Sequence, residues 1–269
     1  MSGAFTSGAR LRAAGLLAAL VLLALLAAPA LARAASYVAL GDSYSSGVGT
    51  RDYYSDSGSC YRSPQAYPVL VASQLGASLS FTACSGAKTG DVINNQLGPL
   101  SGSTNYVTVS VGGNDAGFAD VITECAFPSW ASDCNGAIDQ AQSYIQNTLP
   151  GQLDAVNSAI RSRAPSAEVA VVGYPRLFNG EDCNAGTWFS PSEEARLNQT
   201  ADLLASVGSG RAAAAGFGFV DPRAAFTGHA VCDDVEWING LSNPVRESYH
   251  PNDAGQASGY TPLVLGALG

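Results

Sequence analysis

Histidine is almost missing from this 269-residue chain, which holds only His229 and His250. No Cys-x-x-Cys spacing accompanies them, so little is left from which to build a zinc centre. Basic residues are also few. Thirteen Lys and Arg stand against 22 Asp and Glu, for a formal net charge of −9. A surface of this sign excludes nucleic acid as a partner and gives no electrostatic pull toward anionic membranes. Lipids can still be engaged through apolar contacts. Nucleotide loops are missing: Gly47-x-Gly49 has no third glycine, and Gly86-Ala87-Lys88-Thr89 lacks the upstream glycine of a phosphate loop. The Gly-x-Ser-x-Gly elbow is absent, which counts against an α/β-hydrolase. Beyond residue 34 there is no second long apolar run, so no stable membrane insertion is expected.

The one long apolar run lies at the start. Arg10 and Arg12 precede it, Ala13 to Ala32 carry no charge, and Pro29 interrupts it. Ala30-Leu31-Ala32 and Ala32-Arg33-Ala34 both fit a small-x-small cleavage pattern. Residues 1–34 are therefore expected to be a signal peptide that is removed, leaving residues 35–269 as a single secreted, extracellular domain. The alternative is a retained anchor, since an uncharged run of this length just spans a bilayer. The leader carries three arginines and no acid, so the remainder is more acidic still. All six cysteines lie downstream, and an even count in an exported chain favours three disulfides. Fifteen connectivities are possible. Pairing neighbours in order gives Cys60–Cys84, Cys125–Cys134 and Cys183–Cys232, with the short 125–134 loop the firmest.

Short β-branched runs alternate with longer helical patterns and show no internal repeat. Tyr37–Leu40, Leu79–Thr82, Tyr106–Val111, Glu168–Val172 and Phe217–Val220 read as strands. Residues 64–75, 139–163 and 192–215 read as helices, the last opened by Ser190, Pro191 and Glu193 as cap, first residue and capping-box partner. About five parallel strands in βαβ units imply an α/β fold, a three-layer α/β/α sandwich. In such folds functional groups gather beyond the carboxyl ends of the strands.

Those positions hold Gly41-Asp42-Ser43-Tyr44-Ser45-Ser46-Gly47, Ala83-Cys84-Ser85-Gly86-Ala87 and Gly112-Gly113-Asn114-Asp115, with Ser248-Tyr249-His250-Pro251 near the C-terminus. Each alone is a common turn sequence. Together they hold the parts of an acyl-transfer site. A serine needs a base to take its proton. Histidine titrates near neutrality and suits that role. Glycine N–H groups and an Asn amide can meet an oxyanion. His229, close to Cys232, reads as structural.

These four blocks, in this order from residue 41 to 251, resemble the SGNH/GDSL hydrolases. The wider segments and six cysteines are similar to the secreted actinobacterial lipases and phospholipases A of that family. The resemblance implies a flavodoxin-like fold, Ser43 as nucleophile and His250 as base. It implies an oxyanion hole from the Ser43 and Gly86 N–H groups and the Asn114 side chain, and no metal or other cofactor. One position departs from the family. Three residues before the histidine, where an Asp usually orients the imidazole, stands Glu247. Either Glu247 serves by another rotamer, or a backbone carbonyl at Ser248 takes the role and leaves a Ser–His dyad.

The expected activity is hydrolysis of carboxylic esters of lipids, as a lipase, esterase or phospholipase A, by a monomer acting on small ester substrates. The alternatives are a glycan deacetylase of the same chemistry and a non-catalytic secreted binding module. The many carboxylates read as solvated surface rather than a paired glycosidase site. Tyr44, Phe118, Phe127, Trp130, Tyr174, Phe178 and Trp188 are candidates for an apolar cleft near Ser43. The insertion from Asp115 to Asn135 is expected to wall the acyl pocket, because loops carry substrate choice on such scaffolds.

Overall fold

Five strands pair in parallel in the order β2-β1-β3-β4-β5. They are β1 (Ser36–Gly41), β2 (Ser78–Phe81), β3 (Tyr106–Ser110), β4 (Glu168–Val172) and β5 (Gly218–Val220). The computed structural model describes Met1 and residues 34–269. The expected signal peptide therefore falls outside the described residues. Among the described residues no helix is long and apolar enough to cross a membrane.

Burial on both faces explains the strand sequences. A parallel sheet covered by crossover helices is apolar throughout rather than alternating. Tyr37, Ala39, Ala170 and Val172 join one core with the helices Tyr67–Leu75 and Thr261–Leu268. Val38, Leu40, Val107, Val109, Val169 and Val171 join a second core, against the helix Leu149–Arg163. These cores separate the three layers of the expected α/β/α sandwich.

The expected helix over 139–163 is two helices, Cys134–Asn147 and Leu149–Arg163. Pro150 is the cause. Its ring lacks an N–H and would clash with a preceding carbonyl inside a helix, but it is at home in a first turn. The other early expectation shifts less: the helix over 192–215 runs Pro191–Ala214, capped by Ser190 with the Glu193 capping box. Within the Asp115–Asn135 insertion an unanticipated helix, Phe118–Cys125, packs its apolar face inward.

All three disulfides join neighbouring cysteines: Cys60–Cys84, Cys125–Cys134 and Cys183–Cys232. The middle one closes the insertion onto the start of the Cys134–Asn147 helix. Loop-closure entropy makes the longest of these loops, 49 residues in separation, the most stabilising. Replacing Cys183 and Cys232 together by Ala is expected to cost about 4 kcal/mol, and Cys125 with Cys134 about 2.5 kcal/mol. Urea unfolding of both variants checks the order.

Candidate active site

The strand order reverses between β1 and β3, and the loops after these strands diverge to open a crevice. The Ser43 loop follows β1. Gly41 turns the chain with φ +124°, and a Cβ there would lie 2.3 Å from the Ser110 carbonyl, so only glycine fits. The buried Gln96 side chain grips that turn at both ends. It accepts the Gly41 N–H at 2.7 Å and donates to the Gly41 carbonyl at 2.9 Å. Asp42 caps the short helix Ser43–Ser46 by accepting the Tyr44 N–H at 3.0 Å. Ser43 is the first helical residue, so its N–H has no intrahelical acceptor.

Asp42 is buried, and its second oxygen accepts the Tyr174 hydroxyl. Burial pushes its carboxyl up to about 7, against the opposing hydrogen bonds from Tyr174 and the Tyr44 N–H.

His250 approaches from the other side. Its Nε2 lies 2.8 Å from Ser43 Oγ, and its Nδ1 lies 2.8 Å from the Ser248 carbonyl. A carbonyl can only accept, so Nδ1 carries the hydrogen and Nε2 presents its lone pair to the serine hydroxyl. Tyr249, between the two, has φ +58°, which swings the Ser248 carbonyl back under the ring. The Tyr44 hydroxyl donates to the Tyr249 carbonyl at 2.7 Å, and the Tyr249 N–H donates to the Asn239 carbonyl at 2.8 Å. Burial lowers the His250 pKa below its ordinary 6.5, offset in part by the Ser248 carbonyl and the nearby Glu247.

Glu247 does not touch the imidazole. Its buried carboxylate accepts the Gly49 N–H at 2.9 Å and the Tyr53 hydroxyl, and pairs with Arg246 at 3.3 Å. It latches the histidine loop to the serine loop. Gly49 permits that closeness, since a Cβ there would sit 2.5 Å from the Pro251 carbonyl. Asn239 adds a second tie, donating to the Gly49 carbonyl at 2.8 Å. His229 lies elsewhere, stacked on Trp237 at 3.8 Å with Nδ1 on the Val235 carbonyl.

Gly86 and Asn114 line the same cavity as Ser43 and His250. The Gly86 N–H makes no hydrogen bond among the described residues. Asn114 Nδ2 donates to the Ala87 carbonyl at 3.1 Å, which fixes its amide and leaves a second N–H. Asp115 joins the two loops by accepting the Thr89 N–H at 3.0 Å and the Thr89 hydroxyl at 2.6 Å. Three donors and a serine–histidine pair thus border one space.

That cavity holds about 500 Å³, with walls that include Phe118, Ile122, Phe127, Leu177 and Leu204. The helix within the insertion forms one wall. Of the aromatic residues anticipated there, Tyr44, Phe118, Phe127 and Tyr174 line it, while Trp130, Phe178 and Trp188 do not. Phe178 is buried in the core against Phe189 and Tyr249, and both tryptophans are exposed. Among the described residues, the group with metal-ligand spacing is Cys183, Cys232 and Glu236. Its two sulfurs are joined to each other, so it is not a ligand set.

Gln96, Tyr174 and Asn239 carry no mark in the sequence that identifies them as supports, and Asp115 carries little. Each acts across more than 25 residues of chain. The Asp115 bond does have a signal, since it follows Asn114 directly in the third block.

Glu247→Gln keeps an acceptor for the Gly49 N–H, and kcat on p-nitrophenyl butyrate is expected to stay within about threefold of the parent. Glu247→Ala removes the acceptor of the Tyr53 hydroxyl and one of the two acceptors of the Gly49 N–H, and is expected to lower stability by about 2 kcal/mol. A loss of about 10⁴ in kcat for Glu247→Gln would instead place the carboxylate on the imidazole. Steady-state kinetics and urea unfolding of both variants decide between these.

Residues 39–257 match the model of the GDSL-like Lipase/Acylhydrolase family. The chain is 48% identical to Lipase 1 of Streptomyces coelicolor, over 96% of this chain and 99% of that protein. It is similar in structure to phospholipase A1 from Streptomyces albidoflavus, with TM-score 0.83 and 48% identity over 87% of this chain and all of that one. The extracellular lipase from Streptomyces rimosus superposes with TM-score 0.82, at the same identity and coverage. With most of its length matched, and with strand order and site loops of this form, the chain belongs to the GDSL-like lipase/acylhydrolase family.

Proposed function

We propose that this protein is a secreted esterase of lipids that works through an acyl-enzyme on Ser43, with His250 as its base. As a member of its family the chain is a carboxylic ester hydrolase. The observation that carries the finer reading is the 2.8 Å contact between His250 Nε2 and Ser43 Oγ beside a cavity walled by Phe118, Ile122 and Phe127.

In the proposed cycle, Ser43 Oγ attacks the ester carbonyl carbon while His250 Nε2 takes its proton. The carbonyl oxygen becomes an oxyanion, met by the Ser43 and Gly86 N–H groups and the Asn114 amide. Collapse breaks the bond to the leaving alkoxide, which receives the proton from Nε2. Water then attacks the acyl-serine carbonyl carbon while Nε2 takes its proton, and collapse breaks the bond to Ser43 Oγ, which receives that proton as the carboxylic acid leaves. The Ser248 carbonyl keeps Nδ1 protonated throughout. Glu247, through space, favours the imidazolium that forms in each half.

Lipid substrates are supported by the apolar walls, since a polar glycan would leave its hydroxyl groups without partners there. The names of the relatives, lipases and a phospholipase A1, point the same way. Export is supported by the leader-like sequence of residues 1–34 and by three disulfides, which persist in oxidising compartments. Every residue of the site comes from one chain, so a monomer suffices.

A fluorophosphonate probe is expected to label the native protein and to fail on Ser43→Ala. Labelling that survives this change removes Ser43 from the chemistry. Profiling against triglyceride, phospholipid and acetylated xylan should show turnover of the first two, and activity confined to acetyl esters would overturn the lipid reading. The pH profile has a definite sign. Neutral His250 is the working form and its pKa is lowered from 6.5, so the acid limb of kcat/KM should have its midpoint below that value. A midpoint above it would contradict the buried, carbonyl-bound imidazole.

A further inference from the structure

Tyr54 and Val235 aside, the large apolar side chains exposed among residues 34–269 are grouped rather than scattered. Trp130 is 87% exposed, Val245 71%, Trp188 55%, Phe127 50% and Leu241 39%. Phe127, Leu241 and Val245 reach the cavity itself. The other two stand just outside it. Trp130 tops a turn three residues beyond Phe127, closed by the Ala131 N–H on the Pro128 carbonyl at 2.7 Å. The Trp188 N–H donates to the carbonyl of Ala126, a cavity residue, at 3.2 Å. Leu241 lies against Gly186, two residues before Trp188. Ala126, Trp188 and, through Gly186, Leu241 therefore lie side by side at one mouth, with Trp130 on the turn that follows Phe127.

Exposed indoles cost free energy in water and gain it at a lipid–water boundary, where an amphipathic ring suits the headgroup level. Monomeric proteins rarely keep such a contiguous apolar arc without a partner for it. The net charge of −9 opposes an anionic surface. We infer that this rim docks the enzyme on the surface of aggregated zwitterionic lipid, with Trp130 and Trp188 as the inserting groups and the cavity opening onto that surface. The inference rests on the lipid-ester reading for its purpose but concerns binding, so the two can fail separately. Neither indole lines the cavity, so soluble esters should not need them.

The test uses the full chain with Ser43→Ala, which cannot turn over, and sucrose-loaded vesicles of phosphatidylcholine. This protein is expected to sediment with them, and more weakly with phosphatidylglycerol at low salt. Adding Trp130→Ala and Trp188→Ala is expected to lower the partition coefficient about tenfold or more, as for loss of apolar insertion. With Ser43 intact, the same two changes should keep kcat/KM on p-nitrophenyl butyrate within about twofold, since exposed substitutions rarely disturb a fold. Turnover of phosphatidylcholine vesicles should drop about tenfold, in step with the lost partition. Equal sedimentation with and without the indoles overturns the inference. So does preference for the anionic vesicle, or an equal loss on both substrates. If the parent cleaves no long-chain ester while Ser43→Ala still sediments through its indoles, docking stands and the lipid-ester reading falls.

Discussion

The Ser248 carbonyl decides which nitrogen of His250 is free. Its 2.8 Å contact fixes the hydrogen on Nδ1 and so turns the Nε2 lone pair toward Ser43. That contact exists only because Tyr249 adopts a left-handed conformation, which costs a non-glycine residue about 1–3 kcal/mol. The cost is offset by what surrounds it. Tyr249 packs on Phe178 and Phe189, its carbonyl takes the Tyr44 hydroxyl, and its N–H is held by Asn239. Tyr44 follows Ser43 directly, so the residue beside the proposed nucleophile supports the loop that carries its base. Glu247 and Gly49 close the same circuit from below.

Two carboxylates near this circuit, Asp42 and Glu194, are buried without a cation partner. Asp42 has its carboxyl raised from 3.8 to about 7 by burial. Glu194, also buried, is raised from 4.5 to about 7 by the same cause. A carboxyl raised in the folded state is protonated there while the unfolded chain has already lost its proton. Stability from these groups is therefore present at low pH and declines as pH rises through the window up to about 7. Asp42 has two geometric roles: one oxygen caps the Ser43 helix and the other holds Tyr174, which lines the cavity.

What could be read from the sequence was whatever local chemistry writes there. Apolar runs ending in glycine marked β1 and β3, and the polar residues that follow, Ser43 and Asn114, fall where the crevice opens. The Ser190-Pro191-Glu193 start was equally plain. Pro150 should have split the helix over 139–163, but the apolar spacing continues through it and masked the break. Glu247 was ambiguous for a deeper reason. A carbonyl that orients an imidazole has no side chain and leaves no mark in sequence, so a carboxylate at nearly the right position competes with it on paper. Gln96 and Asn239 were invisible because their partners, Gly41 and Gly49, lie far off in sequence. Trp130 and Trp188 were legible as apolar but not as exposed, since exposure depends on the paths of the Asp115–Asn135 insertion and of the loop that leads to Ser190.

The support for His250 and the nature of the cavity bear on one another. A carbonyl stabilises an imidazolium less than a carboxylate in direct contact would. The remaining stabilisation must come mainly from fixed dipoles, with a small share from Glu247 through space, and fixed dipoles act more strongly as water is excluded. A cavity walled by Phe118, Ile122 and Phe127 excludes water only when something apolar fills it. A long acyl chain does this and an acetyl group does not. In the proposed mechanism, a carbonyl-supported histidine beside an apolar cavity of about 500 Å³ favours substrates whose own acyl chains dry the site. On this argument the chain length of the ester acts on kcat as well as on binding, and the exposed rim that meets lipid surfaces supplies the same dry boundary from outside.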